Sequence, residues 1–484
     1  MEPVSPPDIP APEKKPEEVK SVKIRYSVFF DGTLNNRTNI NSRLVSAKEE
    51  DLTEEEKKTA KVLKDEIMSP EELRRAQGVY KENIGVSSYE NGYTNIVKLE
   101  RHLKTDPYGD NKHCLATYID GPGSNDEDDD DLPGFAFGIS FPFWGDSGVK
   151  KKVKTGLKDV VSQICQKHTN KKEVIDELVL DVFGFSRGAA GARFFIHKSF
   201  IAGSSVKNQL TKKGYQVDKV TFKFVGLFDT VSSHGFSFSN DTAELKLNAV
   251  SQADHVVHLA AADEHRENFS LTDIVSAKGK KGIQVYFPGV HSDIGGSYRD
   301  NKPEGLEDGE KTLNIFFDLG WSCVENAKKE KERLIKSGWF KEDEIEEIYT
   351  SDFDDDYDDS ISEANLYVGR DKVSNQYSRI PLQIMADLAT KSSEIKFEGS
   401  LKSDEKVSGK LSTVESKLRS YLDEHKDCSG KKVFTSTPEH WQHDTEKWLN
   451  DLRHDYFHFS AHYSIGMAPR FNSDGVRFRQ VFKG

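Results

Sequence analysis

The 484-residue chain is poor in sulfur, with four cysteines at positions 114, 165, 323 and 428 and four methionines. No two cysteines stand in C-x-x-C spacing, which excludes a cysteine zinc site and argues against a disulfide framework. Nowhere do about 20 apolar residues run together, so no bilayer-spanning helix is expected. The first residues are acidic and proline-rich rather than basic and then apolar, so no secretory signal is expected either. Positive charge is also in short supply. Sixty-eight Lys and Arg against 81 Asp and Glu leave a net charge of -13, which argues against a nucleic-acid partner and against simple electrostatic docking on an anionic membrane. Hydrophobic residues make up only 35%, so the apolar residues must be concentrated in part of the chain.

Four polar stretches account for much of that low fraction. Residues 1–21 hold six prolines and read as a flexible tail that cannot bury enough apolar surface to offset ordering. Residues 37–92 are charged and helix-prone, with helices expected over 54–63 and 69–79, and read as a surface insertion. The runs Asp126–Asp131 and Asp352–Asp359 read as solvated acidic loops. The second of these places Asp352, Asp354, Asp356 and Glu363 at EF-hand ligand positions. The glycine that the sharp turn needs is Tyr357, so calcium is possible in spacing only and no metal or cofactor is required.

Against this background stand apolar runs that alternate with helical patterns. Strands are expected over 22–30, 115–119, 178–183, 221–228 and 283–287, and helices over 94–102, 151–168, 187–197 and 245–263. That alternation predicts an α/β fold with a mostly parallel sheet flanked by helices, in which chemistry gathers at the carboxyl ends of the strands. Helices are expected again over 313–337, 380–388 and 411–425. The expected organisation is a core over 22–320 interrupted by the insertion 37–92, followed by a mainly helical part over 321–484.

The sharpest local signal is Gly184-Phe185-Ser186-Arg187-Gly188, a G-x-S-x-G between a strand and a helix. Such a turn projects a serine hydroxyl from the sheet edge and needs small residues, here Gly184 and Gly188, on either side. The helix that follows aims backbone N–H groups at the same point, so the Arg187 amide is a candidate oxyanion donor. For the second donor, Gly32 or Thr33 in the loop after the first strand is expected, with Asp31 bracing that loop.

Serine needs a base and an orienting acid, which in hydrolases with this elbow follow in the order acid, then histidine. Asp229 ends the strand 221–228, and His291 follows the strand 283–287 in a glycine-rich loop. His234, His255, His258 and His265 are competing histidines, and Asp293 is a competing acid better suited to bracing its loop. The uncharged run Leu132–Trp144, with Phe141, Phe143 and Trp144, reads either as a lipid-contacting lip or as a buried loop.

Together, Phe29-Phe30-Asp31-Gly32-Thr33, Thr94-Asn95-Ile96, the Gly184–Ala189 elbow, Gly226–Val231, Asp263-Glu264-His265-Arg266, Phe287–Tyr298, Pro381–Ala389 and Tyr456–Tyr463 resemble the ordered motifs of the class one lipase effectors of type VI secretion. The resemblance implies an α/β-hydrolase fold and a Ser186, Asp229, His291 triad. It further implies phospholipase A activity on glycerophospholipids, and an antibacterial effector held in the producer's cytoplasm before delivery to a target periplasm. A secretion spike protein and an immunity protein would be its partners. His265 stands where that family usually has arginine, and the insertion 37–92 has no counterpart among the motifs. A carboxylesterase on soluble or polymeric esters, and a non-catalytic module on a hydrolase scaffold, are the competing functions.

Overall fold

The computed structural model describes residues 20–131, 148–232, 243–277, 282–351, 361–426, 435–442 and 447–484, apart from residues 465 and 474. The expected tail 1–21, the run Leu132–Trp144, His234 and the acidic positions Asp352, Asp354 and Asp356 therefore lie wholly or mostly outside the described residues.

Among the described residues, seven strands organise the first 290 positions: β1 (Ser21–Phe30), β2 (Asn111–Ile119), β3 (Val174–Phe185), β4 (Val217–Phe228), β5 (His255–Ala261), β6 (Leu271–Thr272) and β7 (Gly282–Phe287). Six of them form one sheet in the order β2-β1-β3-β4-β5-β7, and every neighbouring pair in it is parallel. This is the α/β architecture expected from the sequence. Parallel strands are covered on both faces and read as nearly continuous apolar runs, and β3 shows the alternation that results. Leu178, Leu180 and Val182 face one core with the helices Val149–Lys167 and Arg187–Phe200. Phe183 and Phe185 face the other. There the helix Arg379–Ser393 lies so close that a Cβ on Gly226 would stand 2.7 Å from the Phe183 ring and 2.9 Å from Met385 Sδ. One buried ion pair, Arg25 with Asp181, bridges β1 and β3 on this side, and Arg25 also donates to Ser393 of the helix.

Two expected helices are corrected. Residues 245–263 form a short 3-10 turn, Leu247–Gln252, and then β5. The run Val256–Ala261 is buried on both faces between β4 and β7, and such a run carries no periodicity that separates strand from helix. His255 and His258 thus lie on a strand, and His265 in the loop after it. Residues 313–337 likewise divide into a strand, Leu313–Leu319, and a helix, Cys323–Lys336, with Gly320 at φ 95° between them. That strand pairs antiparallel with Ile361–Val368, which pairs with Ile345–Ser351. The part after residue 320 is therefore mixed, and its sheet begins before the expected boundary.

The insertion has its own small core of Ile40, Leu44, Val45, Leu52, Ala60, Leu63 and Ala76. Its helices Glu54–Val62 and Pro70–Glu82 start at capping boxes built by Thr53 with Glu56 and Ser69 with Glu72. Arg43, fully buried, donates to Glu56 and to the carbonyls of Tyr89 and Asn91. Glu56 in turn accepts from Arg299 beyond β7, which ties the insertion to the carboxyl edge of the sheet.

Candidate active site

The loops after β1, β3, β4, β5 and β7 converge at the carboxyl edge of the sheet, where β2 and β3 lie on opposite sides of β1. A doubly wound sheet opens its crevice at such a reversal. Ser186, between β3 and the helix Arg187–Phe200, has φ 57° and ψ -130°, a conformation that costs an L-residue on the order of 1 to 3 kcal/mol and is held here by its surroundings. The Ser186 amide donates to the Phe228 carbonyl (3.0 Å), and its carbonyl accepts from the Ala189 and Val231 amides (3.0 and 3.3 Å). A Cβ on Gly188 would sit 2.1 Å from the Asp31 carbonyl oxygen, and one on Gly184 2.5 Å from Ala189 Cα. The elbow is thus wedged against the end of β1, and only glycine fits at these points.

Asp229, at φ 44° after β4, places Oδ2 at 2.5 Å from His291 Nδ1. His291 opens the short helix His291–Gly295 after β7, and its amide points at Glu264 Oε2 (3.3 Å). With Nδ1–H donated to the carboxylate, Nε2 is the nitrogen left to act as a base. The rings of Phe185 and Phe269 lie 4.6 and 5.1 Å from the imidazole. Burial lowers the pKa of His291, and Asp229 partly restores it. Burial would raise the Asp229 carboxyl, but Arg479 and His291 outweigh it and hold the group well below the usual carboxylate range. Ser186, Arg187 and His291 line one cavity of about 410 Å³, within the size range of small-molecule sites.

Of the two expected second donors, the structure separates Thr33 from Gly32. The Gly32 amide is spent on Asp31 Oδ1 (2.7 Å). Thr33 lines the cavity, and its Oγ1 accepts from Arg187 Nε (2.7 Å), so the two candidate oxyanion donors are linked by a side chain. Burial lowers the Arg187 guanidinium to about 10. Asp31 braces the loop, accepting from Gly32 N, Thr94 Oγ1 and Tyr118 Oη (2.7, 2.8 and 2.7 Å). Burial pushes its carboxyl up to about 7 against those three bonds.

Three of the competing groups have other employment. His258 is a core histidine that accepts from the Thr230 amide and bonds Gln284, and burial takes it down to about 4. His265 bonds Gln442 and lines a separate small cavity. Asp293 holds His458 at 2.8 Å and accepts from the Val290 amide, which is loop bracing. Glu363 accepts from Asn365, and among the described residues no cluster of three or more acidic, His or Cys side chains could hold a metal.

Four participants escaped individual notice in the sequence. Glu264 accepts from the His291 amide, from Ser460 Oγ and from the Arg266 guanidinium. Arg266 caps the Phe269 ring at 3.4 Å and lines the cavity. Arg479 grips Asp229 with Nη1–Oδ1 at 2.6 Å and Nη2–Oδ2 at 2.9 Å. Glu264, Arg266 and Ser460 lie inside motifs that carry the resemblance, whereas no local pattern marks Arg479. The insertion adds Ser87 and Asn91 to the cavity wall.

The family model described as T6SS, Phospholipase effector Tle1-like, catalytic domain matches residues 197–316, a span that contains Asp229 and His291 and begins just after the elbow. No curated protein matches the chain. Among solved structures, one described as a Tle1 effector bound to the VgrG spike of the type 6 secretion system is 20% identical with a TM-score of 0.60, over 97% of this chain and 95% of that one. An uncharacterized protein from Pseudomonas aeruginosa is 15% identical with a TM-score of 0.40, over 87% of this chain and 52% of that one. The resemblance read from the sequence is borne out: this chain is similar to the type VI phospholipase effectors, in the sequence of its segment 197–316 and in fold along nearly its whole length.

Proposed function

We propose that this protein is a serine hydrolase of phospholipase A type that acts as a type VI secreted antibacterial effector. The observation that carries the reading is the buried Asp229–His291 pair, with His291 and a strained Ser186 opening on one partly apolar cavity. His291 Nε2 takes the Ser186 proton as Oγ attacks the ester carbonyl. The resulting oxyanion is met by the Arg187 amide and, from the β1 loop, the Thr33 amide, each such donor contributing about 3 to 4 kcal/mol to the transition state. Imidazolium then protonates the leaving alcohol, the lysolipid departs, and water activated by the same imidazole releases the fatty acid. Leu34, Phe185, Val231, Phe269 and Met467 supply apolar wall for an acyl chain. With a net charge of -13, apolar contact rather than net electrostatics brings the protein to lipid.

The Tle1 effector of the solved complex is bound to a VgrG spike, which supports a spike protein as carrier for this chain. An immunity protein in the producer and delivery to the target periplasm belong to the same proposal. No helix of the described residues is long and apolar enough to cross a membrane. The test is Ser186→Ala, assayed on phosphatidylethanolamine–phosphatidylglycerol vesicles and on a short-chain soluble ester side by side. The expected result is loss of fatty-acid release on both substrates. Release that survives the substitution refutes the nucleophile, and activity confined to the soluble ester refutes the phospholipase assignment.

A further inference from the structure

Residues 477–484 run back across the molecule to the catalytic edge. Val481–Phe482 pairs parallel with β6. The amides of Leu271, Asp273 and Ser276 donate to the carbonyls of Gln480, Phe482 and Gly484, each at 2.9 Å. The Gly484 amide returns a bond to Asp273 Oδ1 (2.8 Å). This strap carries Arg479 inward, where it is buried and held by the carbonyls of Phe269 and Ala261 (2.8 and 3.2 Å).

Asp229 is closed in on every side. Oδ1 accepts from the Ala261 amide (2.8 Å) and Arg479 Nη1, and Oδ2 from Arg479 Nη2 and His291 Nδ1. A planar two-pronged guanidinium fixes the carboxylate plane as well as its charge, so the oxygen offered to His291 cannot rotate away. The ionisable groups on the neighbouring loops have partners of their own. Asp229, after β4, faces Arg479 from the strap. Glu264, after β5, faces Arg266 beside it. Asp293, on the same short helix as His291, is tied to His458.

Resting on the serine-triad reading above, we propose that Arg479 is a positioning residue of the reaction: it holds Asp229 aligned with His291 and offsets the negative charge that would otherwise favour imidazolium over the neutral base. Without the guanidinium the buried Asp229–His291 couple gains negative charge. It then takes up a proton at higher pH, whichever of the two groups carries it. The acid limb of the pH–rate profile reports this couple.

The experiment compares wild type, Arg479→Lys and Arg479→Met on a soluble p-nitrophenyl ester from pH 5 to 9. Rates are normalised to the serine labelled by a fluorophosphonate, and thermal unfolding is followed in parallel. For Arg479→Met the acid limb is expected to move up by about one pH unit or more, with kcat falling by less than the roughly 10⁴-fold that removing a triad acid produces. Arg479→Lys keeps the charge and loses the fork, so its limb is expected to stay in place while kcat falls. A limb for Arg479→Met that superimposes on wild type, after normalisation, overturns the proposal, because a merely structural role lowers the labelled fraction without moving the limb. Should the Met variant not fold, Arg479→Lys decides: an unchanged kcat overturns the proposal and a lowered kcat on an unmoved limb supports it. Labelling that Ser186→Ala does not abolish sinks the triad reading, and this inference with it. Labelling that depends on Ser186, with no limb shift, sinks this inference alone.

Discussion

Asp31 makes the most quantitative prediction about the oxyanion loop. Its carboxyl is buried, accepts three hydrogen bonds, and ionises near 7 instead of its ordinary 3.8, because burial outweighs the help from Tyr118, Thr94 and Gly32. The folded protein therefore binds this proton more tightly than the unfolded chain does. Stability linked to it is fully present below about pH 3.8 and is lost as pH rises through about 7. A gap of about three pH units corresponds to roughly 4 kcal/mol, of which about 1.5 is already lost by pH 5 and about 2.5 more disappears between pH 5 and 8. Asn at this position keeps the shape and removes the titration. Urea denaturation of wild type and Asp31→Asn at pH 5 and pH 8 isolates the effect, since other groups titrate in both proteins. Wild type is expected to lose about 2 to 3 kcal/mol more than Asp31→Asn over that interval. Equal losses in the two proteins would refute the reasoning and show that the three donors keep Asp31 ionised throughout.

Two further substitutions probe the walls of the site. Gly188→Ala drives a methyl to within 2.1 Å of the Asp31 carbonyl oxygen. Backbone cannot retreat as a side chain can, so the substitution should cost about 1 to 3 kcal/mol and lower kcat at least tenfold by separating the Arg187 and Thr33 donors. Wild-type ester turnover in this variant would show that the wedge between elbow and β1 is not what sets the oxyanion hole. Glu56→Gln leaves buried Arg43 and half-buried Arg299 without the carboxylate that both share. Burial would raise that carboxyl, but Arg299 and Arg43 take it down to about 2, so its stabilisation is present above about pH 4.5 and fades as pH falls through about 2. A loss of about 3 to 5 kcal/mol at pH 7 is expected, together with reduced activity because Ser87 and Asn91 lose their support. Denaturation midpoints unchanged at pH 7 would contradict it.

The sheet was legible where each strand ended in a distinctive loop. Phe30-Asp31-Gly32, Phe185-Ser186-Arg187, Phe228-Asp229-Thr230 and Phe287-Pro288-Gly289 each mark the passage from a buried run to small or polar residues, and all four lie at the carboxyl edge. β5 reads as helix in the sequence because His255–Ala261 ends in Ala260-Ala261 and runs on into Ala262, residues as much at home in a helix. The strand Leu313–Leu319 reads as helix in the sequence because it runs directly into a helix-forming segment that masks the break at Gly320. In both cases the state is decided by neighbouring strands, which lie tens of residues away.

The same division runs through the site. Local sequence puts Ser186 forward, since its turn demands glycines at fixed offsets, and chain order puts Asp229 and His291 forward, since each directly follows a strand, but rival histidines and Asp293 stay open at that level. The bond between Asp229 and His291, the choice of Thr33 over Gly32, and the employment of His258 and Asp293 elsewhere depend on which loops meet across the sheet edge. Arg479 is the limiting case. It lies 250 residues from Asp229 in a segment without periodicity, and only the pairing of residues 481–482 with β6 brings it there. An unpaired guanidinium or carboxylate is costly to bury and a matched pair is not, and a match of that kind is a property of two distant segments that neither displays alone.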